Sequence, residues 1–159
     1  MKKIIREKKH RLAEHIYTGL IIVSFTLCIK GRKELFRNLD VFKMFESILK
    51  EQLIKYNCEA YIYMFMPDHV HLLLGGKDEN SDIKKCLDSF KQKSGFWLYK
   101  NFPEYNWQKD YYDHILRNTE DLTLQIKYIL NNPVRAGLVG NWKEYKMQGS
   151  TVFNIEEWN

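Results

Sequence analysis

Met66-Pro67-Asp68-His69-Val70-His71-Leu72-Leu73-Leu74 is the stretch on which the fold turns. Strand geometry sends residues i and i+2 to the same face, so a strand beginning at His69 projects both imidazoles into one site. Pro67-Asp68 is turn chemistry: proline presets φ, and aspartate accepts a local backbone hydrogen bond. The segment ahead of the turn, Ala60 to Met66, is apolar with aromatic residues at Tyr61, Tyr63 and Phe65. It reads as a buried strand. Together the two segments predict a β-hairpin that holds two nitrogen ligands at the start of its second strand. Taken alone, the H-x-H pair fits a metal site and a polar strand face with two half-exposed histidines equally well.

Working outward, Tyr17 to Lys30 is rich in Ile, Val, Phe and Thr, which favours a first strand, closed by Gly31-Arg32-Lys33. Asp40 is placed to cap a helix in which Phe42, Phe45, Ile48, Leu49 and Leu53 form an apolar stripe. Gly75-Gly76 ends the hairpin, and Ser81 is read as the cap of a second helix burying Ile83, Leu87, Phe90 and Trp97. A fourth strand is expected around Tyr111 to Arg117. A last helix begins near Asn118-Thr119-Glu120-Asp121 and ends close to Asn132, because proline disfavours an α conformation in the residue before it. The order strand, helix, strand, strand, helix, strand, helix predicts an α+β, ferredoxin-like (split βαβ) antiparallel sheet. Its helices lie on one face, and a C-terminal helix is added.

The chain has 159 residues, 45% of them hydrophobic and 28% charged, with a net charge of +5. That suits one globular domain with a proper core and a lean toward anionic partners. Lys2, Lys3, Arg6, Lys8, Lys9 and Arg11 concentrate the positive charge at the start. Such an arm suits a phosphate backbone or is a solvated terminus. Cys28, Cys58 and Cys86 are widely spaced and odd in number, which fits a reducing interior better than a disulfide framework. The most apolar run, Leu20 to Ile29, is too short to span a bilayer. With no apolar signal core following the basic start, the expected location is the cytoplasm.

On the last helix, Asp121, Gln125, Tyr128 and Asn132 recur at steps of four, three and four, so they share one face. Leu122, Ile126 and Ile129 define the opposite, core-facing side. Tyr128 is either a partly buried aromatic with a solvated tip or a hydroxyl offered to a ligand. Asn132-Pro133 also fits an N-cap followed by proline at the first helical position, with Gly137 closing a short turn. His114 is read first as a buried, hydrogen-bonded structural histidine, with contact to DNA or positioning of a catalytic group as the alternative.

Three blocks in order, MPDHVHLLL, WQKDYYDHILRN and YILNNPVRAGLV, closely resemble the HUH single-tyrosine transposases, in particular the REP-associated tyrosine transposase branch. IIVSFTLCIKGRKELF is similar to that family's first strand and its basic turn. The resemblance runs from about Leu20 to Val139. It implies an HUH transposase domain (17–140), and what lies outside is read as a basic N-terminal arm (1–16), which matches the family poorly, and a C-terminal tail (141–159). It also implies that His69 and His71 are metal ligands, that Tyr128 is the nucleophile, and that Asn132 is a third ligand, with Gln125 as the fallback. The metal would be Mg²⁺ or Mn²⁺. The implied reaction is metal-dependent nicking and rejoining of hairpin-flanked single-stranded DNA through a covalent 5′-phosphotyrosine, carried out in the cytoplasm at the nucleoid.

The lysines of the second helix, Lys84, Lys85, Lys91 and Lys93, with Arg32 and Lys33 of the basic turn, are candidates for tracking a single strand by charge. Tyr111, Tyr112 and Trp107 can add stacking. The partner that the resemblance implies is single-stranded DNA in a hairpin or REP-like repeat, and it leaves monomer and homodimer both open. A histidine-triad nucleotide hydrolase is excluded because Leu73 stands where its third histidine belongs. A non-catalytic module that binds single-stranded nucleic acid hairpins is the alternative; it leaves the histidine pair and the polar face of Tyr128 without a purpose.

Overall fold

Burial alternates along Ile22–Cys28, with Val23, Phe25 and Leu27 turned inward, and this segment is β1. The computed structural model describes residues 14–117 and 121–158. The basic cluster Lys2 to Arg11 therefore lies outside the described residues. After β1 come α1 (Leu39–Lys55), β2 (Cys58–Met66), β3 (His69–Gly76), α2 (Ile83–Asn101), β4 (Tyr112–Ile115), α3 (Leu122–Leu130), the single-turn α4 (Asn132–Arg135) and β5 (Gln148–Gly149). The strands form one antiparallel sheet in the order β4-β1-β3-β2-β5. The first four strands are arranged as the split βαβ reading expects. β5 is an addition: two residues near the C-terminus pair with Tyr63 and Met64 on the outer edge of β2.

The two sheet faces carry separate apolar clusters. On one, Phe25, Phe65, Val70, Leu72 and Leu74 meet Phe42, Phe45 and Leu49 of α1 and Ile83, Leu87 and Phe90 of α2. Edge-to-face rings knit this layer together, with Phe36 at 5.2 Å from Phe45 and 5.0 Å from Phe65 between centroids. On the other face Ile62, Met64, Met66 and Leu73 pack under Ile126, Ile129 and Leu130 of α3. Trp142, Tyr145 and Phe153 from the C-terminal segment extend this second cluster. Thus α1 and α2 share a layer while α3 lies across the sheet from them.

Several local expectations shift by a residue or two. The N-cap of α1 is Asn38, whose side chain accepts from the backbone N–H of Asp40 at 2.8 Å; Asp40 itself lies in the first turn. Asp82, not Ser81, caps α2 by accepting from Lys85 N–H at 3.0 Å. Ser81 is buried and instead closes the preceding loop, donating to the Asn57 carbonyl and accepting from Lys77 N–H at 2.8 Å. In each pair neighbouring polar residues have the same capping chemistry, and the one with extended backbone at the helix entrance takes the role. Asn132 is not a cap: it is the first residue of α4, and Asn131 holds the cap position without a capping bond, its side chain donating back to the Lys127 carbonyl at 3.1 Å. Gly137, at φ 75°, closes the turn after α4 as expected.

Gly76 is required by proximity, since a Cβ there would stand 1.9 Å from the Gly19 carbonyl oxygen. The three cysteines are buried free thiols. No helix among the described residues is long and apolar enough to cross a membrane.

Candidate functional site

The alternation of β3 decides which face holds the chemistry. Val70, Leu72 and Leu74 point into the α1/α2 layer. His69, His71 and Leu73 therefore point to the α3 face, where Leu73 joins the second cluster. Cross-strand register then assembles a row: Thr26 of β1 stands opposite His71 of β3 on one side and Tyr112 of β4 on the other. One step along, Ser24 stands opposite His114. α3 lies over these polar residues and contributes Gln125, Tyr128 and Ile129. The result is a cavity of about 290 Å³ lined by Ser24, Thr26, His71, Tyr112, His114, Gln125, Tyr128 and Ile129.

His69 and His71 stand with perpendicular rings, centroids 4.9 Å apart. Each ring has its Nδ1 engaged. His69 Nδ1 lies 2.7 Å from Asp68 Oδ1, and His71 Nδ1 lies 3.2 Å from Thr26 Oγ1. A carboxylate can only accept, so His69 donates from Nδ1 and its Nε2 keeps a lone pair. Asp68 is held in turn by Arg32 Nε at 2.9 Å. The aspartate read as a turn residue thus spends its carboxylate on a histidine and an arginine. This carboxylate–imidazole pairing is the support that orients metal-binding histidines.

Electrostatics keep the imidazoles neutral. Burial is the main cause for His71, reinforced by the cost of charging it beside His69 and by the positive charge of Arg135, and its pKa falls to about 3. Burial also lowers His69, against an opposing pull from Asp68. Burial alone would raise Asp68, but its bonds to His69 and Arg32 outweigh that and hold it below the usual carboxylate range. Two neutral imidazoles are the right donors for a divalent ion, His69 through Nε2 and His71 likewise when its Nδ1–H donates to Thr26 Oγ1. Among the described residues no group of three or more His, Cys, Asp or Glu is placed to hold a metal, so further donors would come from amides, water or substrate.

Tyr128 is 63% exposed at the cavity rim. The Arg135 guanidinium sits 3.9 Å from its ring centroid, and Arg135 Nη2 donates to the Tyr128 carbonyl at 2.8 Å. Gln125 lines the same cavity as His71 and Tyr128, whereas Asn132, partly buried, is not among the lining residues. Asp121, from the same polar series, serves as the cap of α3, accepting from Thr123 N–H at 2.8 Å. His114, read as a structural histidine, lines the cavity. Of the adjacent tyrosines, Tyr111 is buried in the α1/α2 layer and Tyr112 faces the site, as strand alternation requires.

The basic candidates are scattered. Lys84, Lys85, Lys91 and Lys93 are on α2, across the sheet from α3. Lys84 pairs with Asp88 at 2.7 Å, and Lys91 Nζ sits 4.9 Å from the Tyr111 ring centroid. Lys85 and Lys93 are exposed. Lys33 Nζ donates to the Glu104 carbonyl at 2.9 Å, and Arg32 is the partner of Asp68. Sequence reading missed Arg135, Thr26 and the second role of Asp68. For Arg135 the signal was its spacing, seven residues or two helical turns beyond Tyr128.

A family described as IS200-like transposases matches residues 18–132. An Escherichia coli REP-associated tyrosine transposase is 25% identical over 119 residues, covering 72% of this chain and 67% of the relative. A Haemophilus influenzae protein whose name carries the same designation is 25% identical over 132 residues, covering 76% of this chain and 74% of its own. A solved structure of a REP-associated tyrosine transposase bound to a REP hairpin superposes with a TM-score of 0.72 at 19% identity, covering 87% of this chain and 79% of that one. With the family match spanning both histidines and the tyrosine helix, the chain belongs to the IS200-like transposase family.

Proposed function

We propose that this protein is a metal-dependent, single-tyrosine HUH transposase that cuts and rejoins hairpin-flanked single-stranded DNA, with Tyr128 as nucleophile. The observation that carries the reading is the shared cavity: an exposed tyrosine on α3 and a neutral histidine on β3 line the same space. Both come from one chain, which supports a tyrosine acting on its own protomer's site, as a monomer would.

His69 and His71 fit a divalent ion, since both are neutral and His69 is braced by Asp68. They would hold Mg²⁺ or Mn²⁺, with Gln125 or Asn132 as an amide donor. When bound, the ion supplies charge that polarises a non-bridging phosphate oxygen and stabilises the transition state. The Tyr128 phenol gives up its proton to solvent water as its oxygen attacks phosphorus. The P–O3′ bond breaks, and the 3′-oxygen takes up a proton. The products are a 5′-phosphotyrosine and a free 3′-hydroxyl. Attack by another 3′-hydroxyl reverses the step, restores the phenol and joins the new ends without ATP. The exposed Lys85 and Lys93 would serve outlying phosphates of the DNA, not the scissile one.

The deciding experiment incubates the protein with end-labelled hairpin DNA and Mn²⁺ and resolves it under denaturing conditions. A covalent adduct that maps to Tyr128 is expected. A shifted native band with no adduct means the non-catalytic hairpin binder instead. An adduct on Tyr111 or Tyr112 overturns the nucleophile assignment.

A further inference from the structure

Arg135 lies in the NNPVRAGLV block, yet the chemistry above gives it no task. α3 stops at Leu130, only two residues past Tyr128, and Asn131 separates it from α4. An exposed tyrosine at a helix end is free to sample its staggered rotamers. A nucleophile helps only in the orientation aimed at phosphorus, and small misplacements are costly. Something must hold this ring. Arg135 does so from two sides: its guanidinium is 3.9 Å from the ring centroid, and its Nη2 bonds the Tyr128 carbonyl at 2.8 Å. The planar fork suits this double task, because one N–H anchors to the backbone while the flat face stacks on the ring.

We propose that Arg135 is the positioning residue of Tyr128, clamping ring and backbone together across the α3–α4 junction so that the phenol is held over the cavity. The inference rests on Tyr128 being the nucleophile, although the clamp itself can be read without any reaction. Lysine would keep the charge but lose the stacking plane, so Arg135→Lys should recover little of the clamp. Arg135→Gln removes both charge and stack.

The test uses the full chain labelled with 3-fluorotyrosine, the Tyr128 resonance being assigned by its disappearance in Tyr128→Phe. In Arg135→Gln this resonance should move and narrow as the ring is released, while the melting temperature stays close to that of the parent. Single-turnover cleavage at saturating hairpin DNA should fall about tenfold with hairpin affinity unchanged, and Arg135→Lys should remain nearer Arg135→Gln than the parent. An unmoved fluorine resonance overturns the proposal. So does a lowered melting temperature with an unchanged saturating rate, which would make Arg135 merely a helix-end brace. If the parent forms no adduct, the transposase mechanism falls, but the fluorine spectrum still decides whether Arg135 holds the ring.

Discussion

Strand β3 serves two different layers within eight residues. Its inward set, Val70, Leu72 and Leu74, is fully committed to an aromatic-rich core under α1 and α2. Its outward set begins with His69 and His71 and turns apolar only at Leu73. The α1/α2 face is closed and interlocked, whereas the α3 face is a smaller cluster with a polar cavity opened along one side. The contrast teaches where stability and chemistry reside: one layer can hold the sheet rigid while the other keeps partly buried polar groups ready for a ligand.

The largest effect expected is on the α3 face. Tyr128→Phe should lower adduct formation by about a thousandfold or more, as loss of a nucleophile does, and change stability by no more than about 0.5 kcal/mol. Gel assays and urea melts on one preparation check both parts; a large loss of stability would mean the tyrosine is a packing residue.

Adjacent residues on β3 then set the faces directly against each other. Leu72→Ala should cost about 3 kcal/mol of unfolding free energy, whereas His71→Ala should cost about 1 kcal/mol or less and abolish Mn²⁺-dependent cleavage. Equal costs in denaturant titrations would erase the distinction between the layers.

Acid should act on the α3 face through His71. Its pKa is about 3 when folded and 6.5 by the reference for a free imidazole, so between those values the unfolded chain binds the proton that the folded chain refuses. Stability is therefore fully present above about pH 6.5 and declines as pH falls toward 3. His71→Ala should flatten that slope in melts taken at successive pH values. A slope unchanged by the substitution would assign the acid sensitivity to other groups.

The smallest effect belongs to the distant lysines. Replacing Lys85 and Lys93 together with alanine should reduce the salt dependence of hairpin binding by a slope of about two at most, leaving cleavage at saturating DNA intact. A fall in the saturating rate would bring the α2 surface into the reaction and dissolve the division of labour.

How much of this was legible beforehand follows the range of the interactions. The element order, the common face of His69 and His71, and the shared helix face of Gln125 and Tyr128 depend on spacing within one element, and periodicity carries them. The capping residues depended on backbone angles that Asn38 versus Asp40, or Ser81 versus Asp82, do not announce. β5 and the row Tyr112–Thr26–His71 are long-range pairings, so no local pattern marks them. The α2 lysines were attractive by charge alone. Only the sheet's two-sidedness reveals that they stand on the layer opposite Tyr128.

The two-residue turn between β2 and β3, Pro67-Asp68, has a consequence for how this protein can change. Side chains on a strand obey parity, so one residue inserted at the start of β3, with the turn held at two residues and the register slipped by one, exchanges the faces. Both imidazoles would be driven among the phenylalanines, and Val70 would be offered to the cavity. Two residues inserted there would preserve the parity. Length variation at the start of β3 is thus tolerable in even steps and ruinous in odd ones, unless the turn itself lengthens to absorb the extra residue.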